Sequence, residues 1–213
     1  MLELYYFYPG CSLAAHIALE ESGMPFLAVR VDLKDAAKNA EYKKINPRGT
    51  VPLLIHNGVQ LLENVAIMTY IDALAPAAKL LPADPMERAQ CLAFLVWGAS
   101  TAHINFRMSF RPERFGAGPA LHEEMKALGR TNYWATLQTL NERLTGQDWI
   151  MGKDFSVADG YALRFYDWGR IAKFPVEELK AFTAHKDRML ARPAVRRVLE
   201  REASPLIQLA AAQ

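Results

Sequence analysis

The chain has 213 residues, of which 51% are hydrophobic and 23% charged, and its formal net charge is +2. This ordinary balance excludes a disordered or fibrous chain, and the small charge gives no basis for a nucleic-acid-binding surface. We expect no signal peptide and no membrane span, because no basic leader and no apolar run of sufficient length is present. The two cysteines, Cys11 and Cys91, form no CxxC or metal-ligand pattern, so we expect no metal and a reducing cytoplasmic location.

The first third of the chain alternates strand and helix patterns. An aromatic strand is followed by the turn Pro9-Gly10, and Ser12 is placed to cap the next helix, which ends at Gly23. Asn57-Gly58 is a favoured hairpin turn, and Asn64 is the expected cap of a further helix. A βαβ unit followed by a hairpin and a helix predicts a four-stranded mixed sheet with helices packed on it. The predicted strands are 2–8, 26–33, 51–55 and 59–62, and the predicted helices are 12–22, 35–44 and 64–74.

Only helical patterns follow the Pro- and Ala-rich stretch 76–85. Asp84 is a capping acid, and Pro85 suits the first helical turn. Ser156 and Asp159 form a capping box, a structural feature. We therefore predict an α/β domain over residues 1–76 and an all-helical domain over residues 86–213. The predicted helices are about 86–111, 119–144, 156–170, 177–190 and 193–201.

Cys11 stands between the first strand and the next helix. Unpaired N–H groups and the positive end of the helix dipole stabilise a thiolate, the reactive form of cysteine. The alternative is a small buried side chain with only a packing role. Cys91 lies in an apolar helical pattern, and we interpret it as such a core residue.

The segment Thr50-Val51-Pro52 is the second candidate site. A cis bond between Val51 and Pro52 would expose the backbone N–H and C=O of Val51, and such a pair can bind a peptide-like ligand as an added strand. From these residues alone a trans bond is favoured, because only about 5–6% of X–Pro bonds in folded proteins are cis.

Four segments of the chain share one family pattern: Tyr5–Leu19, Ile45–Pro52, Leu62–Ile67 and Trp149–Asp159. Together they resemble the opening, the cis-proline segment, the γ-glutamyl-binding segment and a core helix start of the bacterial beta-class glutathione S-transferases. The resemblance implies a thioredoxin-like domain, a helical domain with a second-substrate pocket, a homodimer, and glutathione as co-substrate in detoxification.

The same resemblance assigns the glutathione-binding residues. Cys11 matches the catalytic cysteine, while Thr50 and Val51 match the segment whose backbone pairs with the cysteinyl part of glutathione. Glu63 and Asn64 match the pair that holds the γ-glutamyl ammonium and carboxylate, roles that suit an acid and a helix N-terminus. The alternatives for these last two are a solvated acid and a plain helix cap.

The second-substrate pocket departs from the family pattern. His103 matches a histidine beside the active cysteine, and Arg107, one turn later, supplies charge; the alternative for His103 is a packed histidine. Two neighbouring polar positions of the family are apolar here, so we expect a more apolar and less basic pocket. The family lysine for the glycine end of glutathione falls on Ala36, which leaves Lys34 or Lys38 as substitutes.

The predicted function is a glutathione S-transferase that conjugates or exchanges the glutathione thiol with small hydrophobic electrophiles or disulfides. Cys11 would donate a hydrogen bond to the glutathione thiolate or form a mixed disulfide with it, and Tyr6 or Tyr8 is the backup donor. The alternatives are a glutathione-dependent isomerase or dehalogenase, or a non-enzymatic regulator on the same fold. We expect neither nucleic acid nor a membrane as a partner.

Overall fold

A computed structural model describes residues 1–210, so residues 211–213 of the predicted helical domain lie outside the described part. The N-terminal part is a four-stranded sheet with three helices. Its elements are β1 (Leu2–Tyr6), α1 (Leu13–Ser22), β2 (Phe26–Arg30), α2 (Ala36–Ile45), β3 (Leu53–His56), β4 (Val59–Leu62) and α3 (Asn64–Leu74).

The sheet has the strand order β2-β1-β3-β4, with β1 parallel to β2 and the other two pairs antiparallel. Leu4 lies opposite Leu54 across β1 and β3, and both side chains are fully buried in the core. Asn57 and Gly58 both have positive φ angles, 50° and 82°, as a two-residue hairpin turn requires. The predicted mixed sheet and its hairpin are therefore confirmed, although β1 and β2 end earlier than predicted.

The C-terminal part, as far as the structure describes it, consists of helices joined by loops. The elements are α4 (Pro85–Trp97), α5 (His103–Phe110), α6 (Pro119–Leu144), α7 (Val157–Ile171), α8 (Lys180–Ala191), α9 (Pro193–Arg201) and α10 (Leu206–Ala210). No helix among residues 1–210 is long and apolar enough to cross a bilayer.

The helix predicted over 86–111 is confirmed, because the backbone is helical without a break from 85 to 110, but it contains a wider π-helical turn, Gly98–Ala102, between α4 and α5. A Cβ atom on Gly98 would lie 3.2 Å from the ring of Tyr161, so the absence of a side chain allows close contact there. Such wide turns re-aim the residues that follow them. The apolar pattern continues across the turn, which is why the sequence did not indicate it.

Local capping signals largely hold. The Asp84 carboxylate accepts from the backbone N–H groups of Met86 and Glu87, and Ser156 and Asp159 form the predicted capping box. Cys91 is fully buried, as predicted for a core residue. The prediction for Ser12 is wrong in its mechanism: the hydroxyl makes no capping bond but donates to the Phe7 carbonyl and accepts from the Phe7 N–H.

The two parts of the chain pack closely. Helix α1 lies against α7, where Ile17 is in van der Waals reach of Gly160. The Trp168 indole N–H donates to the Pro9 carbonyl at 2.8 Å, and a continuous apolar core includes buried side chains from both parts. The start of α1 and the residues before it are thus held directly against the helical part. The division at 76 and 86 stays a prediction.

Candidate active site

Two adjoining cavities meet beside Cys11, and both are lined by Cys11, Thr50, Val51, His103 and Arg107. The polar cavity, about 320 Å³, is further lined by Arg48, Pro52, Leu62, Glu63, Asn64, Val65, Ala99, Ile104 and Tyr161. The aromatic cavity, about 290 Å³, is further lined by Phe7, Pro9, Gly10, Leu33, Lys34, Gly49, Phe106, Phe110, Arg111, Arg114, Trp168 and Ile171.

Cys11 is half-buried, and its thiol donates to the Val51 carbonyl at 3.4 Å. Burial raises the pKa of the Cys11 thiol to about 11, although the charges of Arg107 and Arg164 and a hydrogen bond from Asn64 act in the opposite direction. Desolvation therefore opposes the expected thiolate in the protein without ligand. Helix α1 begins two residues later, at Leu13.

The Val51–Pro52 bond is cis, as the family resemblance implies and against the preference from these residues alone. Within the described residues the Val51 N–H donates to no acceptor, and the Val51 carbonyl accepts a hydrogen bond only from the Cys11 thiol. The Thr50 carbonyl accepts from the Tyr42 hydroxyl at 2.7 Å and from the Asn46 amide at 2.8 Å, which fixes this loop. The backbone of Val51 is thus available to pair with a peptide.

Glu63 and Asn64 lie at the start of α3 in the polar cavity. The predicted cap is wrong: Asn64 is the first helical residue, and Glu63 takes the capping position without a capping bond. Glu63 has a φ of 72°, an unfavourable conformation for a residue with a side chain, and its carboxylate pairs with Arg48 at 3.4 Å. Asn64 is buried and donates to the Cys11 carbonyl at 3.0 Å, while its Oδ1 has no partner among the described residues.

His103 and Arg107 border both cavities. Burial and the neighbouring arginine charges lower the pKa of His103 to about 3, so the ring is neutral near physiological pH. Its Nε2 lies 3.3 Å from an Arg107 nitrogen, and its ring packs 4.8 Å from that of Trp168. Both residues belong to α5, which begins directly after the π-helical turn, a feature frequent at functional sites.

The aromatic cavity has more cations than the one that the sequence analysis assigned to it, Arg107. Lys34, Arg107, Arg111 and Arg114 all line the aromatic cavity. The sequence did not reveal Arg111 and Arg114, because α5 ends at Phe110 and a short 3-10 turn folds the chain back over the cavity. Lys38 lies elsewhere and faces Asp32 at 3.8 Å, so Lys34 is the better-placed candidate for the glycine end.

The tyrosines at the site also differ from expectation. Neither Tyr6 nor Tyr8 lines either cavity. The Tyr6 hydroxyl donates to the Arg201 carbonyl, and the Tyr8 ring lies beneath the buried Arg164. Tyr161 is buried in the core and also lines the polar cavity, and burial raises the pKa of its hydroxyl. Sequence offers no signal that separates such a residue from the surrounding core aromatics.

The described residues contain no cluster of three His, Cys, Asp or Glu side chains arranged to hold a metal ion. The groups that the site does present are a thiol, free backbone donors and acceptors, one acid and several cations. These suit a small zwitterionic peptide and an attack by its thiol group.

Comparisons with known proteins agree with this geometry. Residues 2–73 match the family description "Glutathione S-transferase, N-terminal domain" and residues 108–193 match "Glutathione S-transferase, C-terminal domain". Glutathione S-transferase GstA of Escherichia coli O157:H7 is 36% identical over 94% of this chain and 98% of its own length.

Solved structures show the same similarity. A glutathione transferase homologue from Sulfitobacter, with bound glutathione, superimposes with a TM-score of 0.88 at 30% identity, covering 94% of this chain and 98% of its own. A beta-class glutathione S-transferase from Sphingomonas chungbukensis has a TM-score of 0.82 at 33% identity, with 94% and 98% covered.

These similarities confirm the predicted fold class, a thioredoxin-like domain followed by a helical domain. They support glutathione transferase activity with glutathione as co-substrate, and they do not favour the isomerase, dehalogenase or regulator alternatives. The chain belongs to the glutathione S-transferase family.

Proposed function

We propose that glutathione spans the polar cavity, passes Cys11 and places its glycine end at the edge of the aromatic cavity. Its thiolate then attacks an electrophile held in the rest of the aromatic cavity. The observation that carries this proposal is the position of Cys11, which borders both cavities at the point where they meet. A tripeptide thiol and a second substrate bound on either side would have their reacting atoms in contact, and such proximity supplies much of the rate in a two-substrate reaction.

Each part of glutathione has a complementary group. Glu63 pairs with the γ-glutamyl ammonium, and the start of α3 at Asn64 offers free N–H groups to the γ-glutamyl carboxylate. The backbone of Val51, next to Thr50, pairs with the cysteinyl residue as an added strand. Lys34, in the aromatic cavity, takes the glycine carboxylate.

Cys11 acts as a hydrogen-bond donor in this proposal. Because its pKa is about 11, the side chain is a neutral thiol near pH 7. When the ligand occupies the Val51 carbonyl, the thiol turns from that carbonyl to the glutathione sulfur and stabilises its thiolate. The Arg107 charge, beside both cavities, favours the same thiolate, whereas neutral His103 adds no further positive charge. The mixed-disulfide role is less favoured, since it needs a Cys11 thiolate.

The test replaces Cys11 with alanine and measures conjugation of 1-chloro-2,4-dinitrobenzene and glutathione-dependent reduction of hydroxyethyl disulfide. We expect conjugation to fall by about 10- to 100-fold, because one transition-state donor is lost. The control is Cys91→Ala, which removes the other thiol of the chain; Cys91 lines neither cavity. Unchanged rates in both assays would remove Cys11 from the mechanism, and failure of the parent protein to bind a glutathione column would argue against the proposal as a whole.

We further propose that the protein is a cytoplasmic homodimer that acts in detoxification. Family membership supports this assembly and role. Light scattering coupled to size exclusion tests the dimer directly, and a monomer at micromolar concentration would contradict it.

A further inference from the structure

The aromatic cavity combines positive charge with aromatic surface. Of its described lining residues, four are Lys or Arg and none is Asp or Glu. A cavity with this lining attracts anions and repels cations, because no acid within it neutralises the field.

Two of the four cationic side chains, Arg111 and Arg114, have no role in the proposed binding of glutathione. Arg107 contacts His103 and borders the polar cavity as well, and Lys34 is assigned above to glutathione. Arg111 and Arg114 border the aromatic cavity alone. Arg111 faces Glu113 at 3.8 Å across an exposed, weak pair, and Arg114 has no ion pair within the described residues. The Arg114 guanidinium is therefore free to bind a ligand, and Arg111 can do so by leaving or sharing a weak, exposed pair.

An uncovered aromatic face lies next to these arginines in the chain. The Phe106 ring stacks on Trp168 at 4.4 Å and on Phe110 at 5.4 Å. Phe110 remains 51% exposed although it lines the cavity. A large apolar side chain left open inside a cavity is typical of a ligand-binding surface, and a flat ring covers such a face well.

The charges of the cavity also act on its other residues. Arg107 and Arg114 both contribute to the lowered pKa of His103, in agreement with their place in the cavity lining. An anion placed beside Arg114 would be stabilised for the same reason.

We propose that the preferred electrophile is an aromatic compound bearing a carboxylate, with its ring against the exposed Phe110 and its carboxylate held by Arg111 and Arg114. This inference rests on the proposed transferase function and specifies its second substrate. In the reaction with an aryl chloride, the glutathione thiol releases its proton to solvent and a carbon–sulfur bond forms. The carbon–chlorine bond breaks, and chloride leaves with the electron pair.

The experiment compares two probes that differ in charge: 4-chloro-3,5-dinitrobenzoate and the corresponding neutral benzamide. The kcat/KM of each is divided by its uncatalysed rate constant with glutathione, which removes the difference in intrinsic reactivity. We expect the normalised value to be about tenfold higher for the benzoate at low ionic strength, the size of a single charge-assisted contact. The preference should shrink in 0.5 M NaCl, because salt screens exposed charges.

The double variant Arg111→Met/Arg114→Met should lose most of this preference, whereas Lys153→Met/Arg196→Met, which removes two exposed charges outside both cavities, should keep it. Arg114→Met alone should lose part of the preference, and this single variant is measured in case the double variant does not fold.

Equal normalised values for the two probes in the parent protein would overturn the inference but leave the transferase proposal intact. A rise in the KM of glutathione that is equal with both probes would assign these arginines to glutathione instead and also overturn the inference. Absence of catalysis with both probes would count against the transferase proposal itself.

Discussion

The surroundings of Cys11 predict that its thiol reacts slowly with alkylating reagents in the protein without ligand. Burial raises the pKa of this thiol from 9.0 to about 11, which lowers the thiolate fraction near neutral pH by about 100-fold. A more basic thiolate is also more nucleophilic, by roughly eightfold over the same range, since the Brønsted slope is about 0.45. The net expectation is alkylation by iodoacetamide about tenfold slower than for an unperturbed cysteine.

The assay follows alkylation by mass spectrometry between pH 7 and 9.5 in the Cys91→Ala variant, with urea-unfolded protein as the reference for an unperturbed thiol. The folded protein should react more slowly than the reference, and its rate should rise about tenfold per pH unit without levelling, because the pKa lies above the range tested. A plateau below pH 8, or a rate above that of the unfolded chain, would show a thiolate stabilised by the helix start and would refute the reasoning.

Three further predictions concern binding and stability. Glu63→Gln should raise the KM of glutathione about tenfold with little change in kcat, since the pair with the ammonium forms in ground and transition states alike. Glu41→Gln, which removes an acid from an exposed pair on α2, is the control. An unchanged KM in the Glu63 variant would contradict the assignment. Gly129→Ala should lower the free energy of unfolding in urea by about 2 kcal/mol, because its Cβ would overlap the backbone nitrogen of Ser109 and lie 2.8 Å from the backbone carbon of Met108, both in α5. Gly160→Ala, whose Cβ would have its nearest neighbour at 3.5 Å, should be neutral or stabilising. Equal effects of the two substitutions would argue against this packing. Asp159→Ala should lower the free energy of unfolding by about 3 kcal/mol in the same assay, because the buried carboxylate has four hydrogen-bond contacts. A decrease of less than about 1 kcal/mol would count against that network.

Much of the local structure could be predicted from the sequence. The Asn57-Gly58 hairpin, the Asp84 cap and the Ser156–Asp159 capping box all formed as expected. Each depends on backbone and side-chain groups within three or four residues, so the chemistry that decides it is contained in the segment itself. The order of these elements, together with the family resemblance, was enough to predict the architecture and the candidate residues around Cys11.

The errors fall where partners are distant in the chain. Asn64 looked like a cap, but its amide is used 53 residues away at Cys11. The Cys11 thiol meets the Val51 carbonyl 40 residues away, and Trp168 reaches Pro9 across 159 residues. No pattern within one segment records such contacts.

The sequence by itself therefore determined which elements form, where most of them begin and end, and which residue types are available for a thiol-binding site. Only the tertiary structure decided the protonation of Cys11 and the charge of the aromatic cavity. The pKa depends on the summed desolvation and charge from several packed segments. The cavity's charge depends on the chain reversal after α5 that brings Arg111 and Arg114 to its edge.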